Sequence, residues 1–178
     1  MNWPLTVTTD SVEATRDLAA RLAPQCRAGD IVLLIGDLGA GKTAFAQGFA
    51  RGLGVAGPVT SPTFALVRHY DCGPASPVRT LIHADIYRTE SLGEVEDLAL
   101  AELVEDGAVA LVEWGNLAAP ALGRDALDIT LAPDEGDDGA ERRRLSVVGR
   151  GSWADRAAEV ATAWPEVTPA DDDETVVA

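Results

Sequence analysis

Lysine is almost missing from this chain. One residue, Lys42, stands against thirteen arginines in 178 residues. Cysteine is nearly as scarce, with Cys26 and Cys72 alone. Two such distant thiols exclude a disulfide framework and any Cys-x-x-Cys metal or redox motif. Positive charge as a whole is outnumbered, 14 Lys and Arg against 29 Asp and Glu, for a net charge of −15. A surface of that sign repels phosphate backbones and anionic lipid, which excludes an unaided grip on nucleic acid or on such a membrane. No apolar run approaches the ~20 residues of a membrane-spanning helix. The opening MNWPLTVTTD lacks the basic stretch and the long apolar stretch of a signal peptide. The expectation is a cytoplasmic protein with reduced thiols and no membrane partner.

What remains is a globular composition, 47% hydrophobic and 24% charged. The length suits a single domain with a proper core, expected over residues 1–165, and no internal repeat interrupts it. An acidic tail with DDDE at 171–174, expected to be disordered, accounts for residues 166–178. A strand is expected at Leu5–Thr8, then a helix from Ser11 or Val12 to Leu22, stopped by Pro24. Ile31-Val-Leu-Leu-Ile35 is continuously apolar, as in a strand covered on both faces. A glycine-rich turn follows. Phe45, Phe49 and Leu53 then fall at i, i+4 and i+8 of a helix over Lys42–Leu53, which Gly48 and Gly52 should weaken slightly. Val59–Pro62 reads as extended loop. Strands are expected at Phe64–Tyr70, Val78–Ala84, Ala108–Val112, Asp128–Leu131 and Leu145–Val148. Helices are expected at Ser91–Asp106 and Ser152–Trp164.

The glycine-rich turn carries chemistry. Gly36-Asp-Leu-Gly-Ala-Gly41-Lys42-Thr43 satisfies G-x-x-x-x-G-K-[ST] at every fixed position, between an apolar strand and a helix. Successive main-chain amides converge on phosphate oxygens only in backbone conformations that glycine adopts cheaply. The helix N-terminus adds partial positive charge. Lys42 supplies a compact ammonium for the outer phosphates, and Thr43 a hydroxyl for Mg²⁺. Spacing alone assigns no chemistry to Asp37 and Leu38. The fold class is therefore α/β: a P-loop NTPase-like, mostly parallel sheet flanked by helices, in which the late strands can add antiparallel pairing.

A nucleotide–Mg²⁺ site also needs carboxylates at neighbouring strand ends. Asp85 closes one apolar strand and Glu113 another. Either could hold the metal, and either could polarise an attacking water. A guanine-reading Asn-Lys-x-Asp element would need a second lysine, so ATP is the expected nucleotide.

Taken together, GDLGAGKT (Gly36–Thr43), TSPTF (Thr60–Phe64), HADIYR (His83–Arg88) and EWG (Glu113–Gly115) resemble the TsaE (YjeE) family in identity, order and spacing. That family comprises small bacterial ATPases of tRNA threonylcarbamoyladenosine biosynthesis. The resemblance implies ATP and Mg²⁺ as ligands, with Leu38, Gly39, Ala40, Gly41, Lys42 and Thr43 on the phosphates. It implies that Thr43 and Glu113 reach the metal, and that Asp85 takes a Walker B-like place supporting hydrolysis, with Glu113 as its catalytic companion. Ser61 and Thr63 would lie in one switch segment and Trp114 in another. The implied partners are TsaD and TsaB, with tRNA met only through them. The chain departs from the family's common pattern at Gly115, where proline is usual, and in its long acidic tail. Two readings from other classes share the phosphate loop: a small-molecule or nucleoside kinase, with Asp85 as base, and a nucleotide-dependent interaction module with little catalysis.

Overall fold

A computed structural model describes residues 3–62, 66–87, 100–105, 107–116, 125–135 and 141–169. In chain order these form β1 (Leu5–Thr9), α1 (Val12–Leu22), β2 (Ile31–Ile35), α2 (Lys42–Gly52), β3 (Val67–Asp71), β4 (Thr80–Asp85), α3 (Leu100–Glu105), β5 (Ala108–Glu113), β6 (Ala126–Glu135), β7 (Glu141–Arg150), α4 (Ala157–Ala163) and β8 (Thr168–Pro169). The strands join one sheet in the order β3-β4-β5-β2-β6-β7-β1-β8. Its centre, β4-β5-β2-β6, is parallel, and antiparallel pairs extend it on both sides.

The apolar runs explain the centre. In β2, Val32 and Leu34 join the core beneath α1 and α2, while Ile31 and Leu33 join a second core on the opposite face. A strand buried on both sides has no polar position to alternate with, which is why β2 and β5 read as unbroken apolar stretches. Antiparallel pairing reaches further than the sequence suggests. The β3–β4 hairpin adds an edge, and β6 and β7 each run to ten residues.

Local signals set the helices. The Ser11 hydroxyl caps α1 by accepting the Ala14 amide at 3.1 Å. Phe45, Phe49 and Leu53 are buried as their spacing requires. Gly48 and Gly52 turn out to be contact points for α1. A Cβ on Gly48 would lie 2.1 Å from the Arg16 carbonyl oxygen, and one on Gly52 2.4 Å from that of Ala20. The two helices touch backbone to backbone, so the glycines give close packing in exchange for lower helix propensity. Gly48→Ala is therefore expected to destabilise the fold by about 1–3 kcal/mol despite alanine's better propensity. A lower denaturation midpoint at unchanged m-value is the measurement.

Two ends differ from expectation. The stretch expected as one helix over Ser152–Trp164 is a 3₁₀ turn, Gly151–Trp153, followed by the shorter α4. Between them Arg156 turns inward, donating to Asp30 at 2.9 and 3.0 Å and stacking over Trp153. The acidic tail also begins later than residue 166. Val167 is buried, Glu166 pairs with Arg21, and Thr168 and Pro169 form a short strand against Thr6 and Leu5. Residues 170–178 lie outside the described residues, as do most of the helix expected at Ser91–Asp106 and the start of the strand expected at Phe64. Cys26 and Cys72 are free thiols. Among the described residues no helix is long and apolar enough to cross a membrane.

Candidate functional site

The parallel centre brings the motifs to one edge. β2, β4 and β5 all end there, and the register pairs Asp85 with Glu113 and Glu113 with Leu34. Both carboxylates thus emerge side by side at the carboxyl ends of parallel strands, where open α/β sheets bind ligands. The turn after β2 passes over them. Gly36 has φ +145° and such close contact that a Cβ would fall 2.3 Å from the Leu131 carbonyl oxygen. Gly41, at φ +109°, precedes α2, whose N-terminus has no side-chain cap. These glycines allow the loop to curl back so that α2 opens on the strand tips.

A cavity of about 530 Å³ lies between loop and strands, lined by Gly39, Gly41, Lys42, Thr43, Ser61, Asp85 and Glu113, with Leu38, Tyr87 and Trp114 at its margin. Lys42 is buried at its base and donates to the Gly36 carbonyl at 2.6 Å and the Asp37 carbonyl at 2.9 Å. Burial lowers its pKa, against the opposing pull of Glu113, Asp85 and Asp37. An ammonium so desolvated gains from any anion that arrives. The Trp114 ring lies 3.9 Å from this nitrogen, centroid to Nζ, and packs against Tyr87 at 4.5 Å between centroids. Trp114 holds a left-handed backbone, φ +62°, which a bulky residue adopts only under constraint. At Gly115 a Cβ would come within 2.4 Å of that of Leu33, so the turn behind Trp114 has no room for a larger residue.

The two carboxylates have separate partners. Glu113 accepts the Thr43 hydroxyl at 3.1 Å and the His83 imidazole at 3.0 Å. Asp85 accepts the Ser61 hydroxyl at 2.6 Å and the Tyr87 amide at 3.1 Å. Of the sequence-predicted positions, Lys42, Thr43, Ser61, Asp85, Glu113 and Trp114 meet around this cavity, together with Gly39 and Gly41. Leu38 also lines it although the residue is 85% exposed, and Ala40 is buried and does not line it. Thr63 lies outside the described residues. Sequence reasoning missed the tie between His83 and Glu113 and the stacking of Lys42 on Trp114. Both join residues far apart in the chain, and no local spacing announces them.

The donor set suits Mg²⁺. A hydroxyl and a carboxylate oxygen face the cavity together at Thr43 and Glu113, both hard ligands. Among the described residues no cluster of three or more His, Cys, Asp or Glu could hold a metal. Few protein ligands, with phosphate and water completing the shell, is how magnesium is held beside a nucleotide.

Comparison with known proteins points to one family. The family described as "Threonylcarbamoyl adenosine biosynthesis protein TsaE" matches residues 9–144. A Streptomyces coelicolor protein named tRNA threonylcarbamoyladenosine biosynthesis protein TsaE is 44% identical over 142 residues, covering 78% of this chain and 93% of that protein. A Bacillus subtilis protein of the same name is 43% identical over 129 residues, covering 72% and 77%. The crystal structure of Bacillus subtilis YdiB superposes with a TM-score of 0.71 at 31% identity, covering 91% of this chain and 97% of that one. The fold is thus that of a P-loop protein, and the chain belongs to the TsaE family of tRNA threonylcarbamoyladenosine biosynthesis.

Proposed function

We propose that this chain is the ATP-binding and hydrolysing subunit required for threonylcarbamoylation of adenosine 37 in tRNAs that read codons beginning with A, acting through a TsaD–TsaB complex. One observation carries the reading: a buried lysine, a hydroxyl and two carboxylates face one cavity beneath a glycine loop at the tips of parallel strands. The loop amides and the N-terminus of α2 receive phosphate oxygens. Lys42 exchanges its two loop carbonyls for the outer phosphates. Thr43 and Glu113 offer Mg²⁺ their oxygens, and the ion when bound neutralises phosphate charge. Asp85, oriented by Ser61 and the Tyr87 amide, holds the water that attacks the γ-phosphorus as the bond to the ADP oxygen breaks. The net charge of −15 fits a protein that reaches tRNA through partners.

Purified TsaD and TsaB, offered to the tagged chain with and without ATP, test this. The expected result is co-purification that depends on nucleotide and ATP hydrolysis that rises when both partners are present. Phosphate transferred to an added metabolite would replace the reading with a kinase. Partner binding indifferent to blocked hydrolysis would replace it with a non-catalytic switch.

A further inference from the structure

We propose that His83 is a positioning residue which holds the Glu113 carboxylate in the orientation that meets Thr43 and a magnesium ion, an inference that rests on the reading of the site given above. His83 lies on β4 two residues before Asp85 and is 0% exposed. It does not line the cavity, so it touches neither nucleotide nor metal. Among the described residues its side chain makes one polar contact, the 3.0 Å hydrogen bond from Nε2 to Glu113 Oε1.

The chemistry of that contact fixes the tautomer. A carboxylate oxygen accepts, so the hydrogen sits on Nε2. Nδ1 is buried with no hydrogen-bond partner among the described residues. A hydrogen placed there would be a buried orphan donor, and Nε2 would then set a lone pair against a carboxylate. Packing alone gives no reason for an imidazole here. A phenylalanine or leucine would fill the same apolar surroundings without stranding a nitrogen. The stranded nitrogen is explained if the other one is needed.

What it does follows from the geometry of Glu113. That carboxylate is 3% exposed and receives the Thr43 hydroxyl at 3.1 Å on Oε2 while His83 takes Oε1. Two donors from different elements, Thr43 on α2 and His83 on β4, stop the group from turning about its last bond. An oxygen lone pair is thereby left aimed into the cavity beside Thr43. Groups that orient a metal's ligand commonly govern affinity for the metal more than affinity for the rest of the ligand.

The test is binding of ADP to the full chain, measured by calorimetry with Mg²⁺ and again with EDTA. His83→Phe is expected to cut the affinity gained from Mg²⁺ by about tenfold while the EDTA value moves less than about twofold. Glutamine carries its amide nitrogen close to the reach of Nε2, so His83→Gln should restore most of the gain. Asparagine ends nearer Nδ1, so His83→Asn should not. If His83→Phe fails to fold, the Gln–Asn pair decides by itself. The chain has two histidines. Nitrogen-15 spectra of labelled protein should therefore resolve His83 with hydrogen on Nε2 and none on Nδ1. An unchanged Mg²⁺ gain in His83→Phe, a Gln variant no better than Asn, or hydrogen on Nδ1 overturns the inference and leaves the site reading standing. Wild-type protein that binds no nucleotide, or binds it equally with and without Mg²⁺, overturns both.

Discussion

Lys42→Ala should lower kcat/KM for ATP by roughly 100-fold or more, the size of loss seen when a preorganised charge facing the reacting phosphate is removed. The fold should survive. The lysine's hydrogen bonds go to two loop carbonyls beside a cavity, so water can take over both when the side chain is cut back. A melting temperature within a few degrees of wild type would therefore accompany the loss of turnover. Arginine should not rescue. The ammonium sits at 2.6 Å from one carbonyl and under an indole ring, a space cut for a compact head and not for a planar fork. ATP binding and hydrolysis both unchanged in Lys42→Ala would remove the phosphate loop from the account. The experiment is unusually clean in this chain because no other lysine exists to substitute.

That lysine also shows what a sequence can reveal. The phosphate loop was legible because every part of its physics is local: glycines for positive φ, an apolar strand before it, a helix after it. β2 was legible for the same reason. β7 was not legible at full length. Its Leu145 and Val147 point into the core, but Arg142, Arg143 and Arg144 resemble a charged turn when read alone. They are strand residues because β6 brings partners to them across the hairpin, as Asp134 does for Arg144 and Asp128 for Arg150. Pairing of that kind belongs to tertiary structure, and no window of the chain contains both halves.

The site divides in the same way. Asp85 and Glu113 were visible as acids at strand ends, but which neighbour each would take was not. Thr43 lies 70 residues from Glu113, and Ser61 lies 24 from Asp85. The sheet register decides those partners by setting Asp85 opposite Glu113, and Glu113 in turn beside Leu34 of β2. Family resemblance supplied the roles; the structure supplies the distances that make them chemically possible. It also reverses one local inference, since Gly48 and Gly52, read as flaws in a helix, are where α1 and α2 meet.

Glu113→Ala separates metal chemistry from nucleotide capture. The carboxylate is buried, carries the Thr43 hydroxyl and His83, and stands at the inner end of the cavity. Phosphate contacts come from the loop, α2 and Lys42, which the substitution leaves in place. Metal-free ADP binding should therefore change by less than about threefold, while Mg²⁺-stimulated hydrolysis falls by roughly 100-fold, as for loss of a charge-bearing group that acts in the transition state. Removing a negative charge close to the triphosphate could even tighten metal-free binding, which would strengthen the case, because the carboxylate repels phosphate unless a cation lies between them. Equal losses with and without magnesium would instead make Glu113 a structural support for the loop. Glu113→Gln refines the result: it keeps the shape and one acceptor oxygen for Thr43 but lacks the charge. A Gln variant as inactive as Ala assigns the effect to charge, hence to the cation. A Gln variant that works would assign it to the side chain's shape and the hydrogen bond from Thr43 rather than to charge.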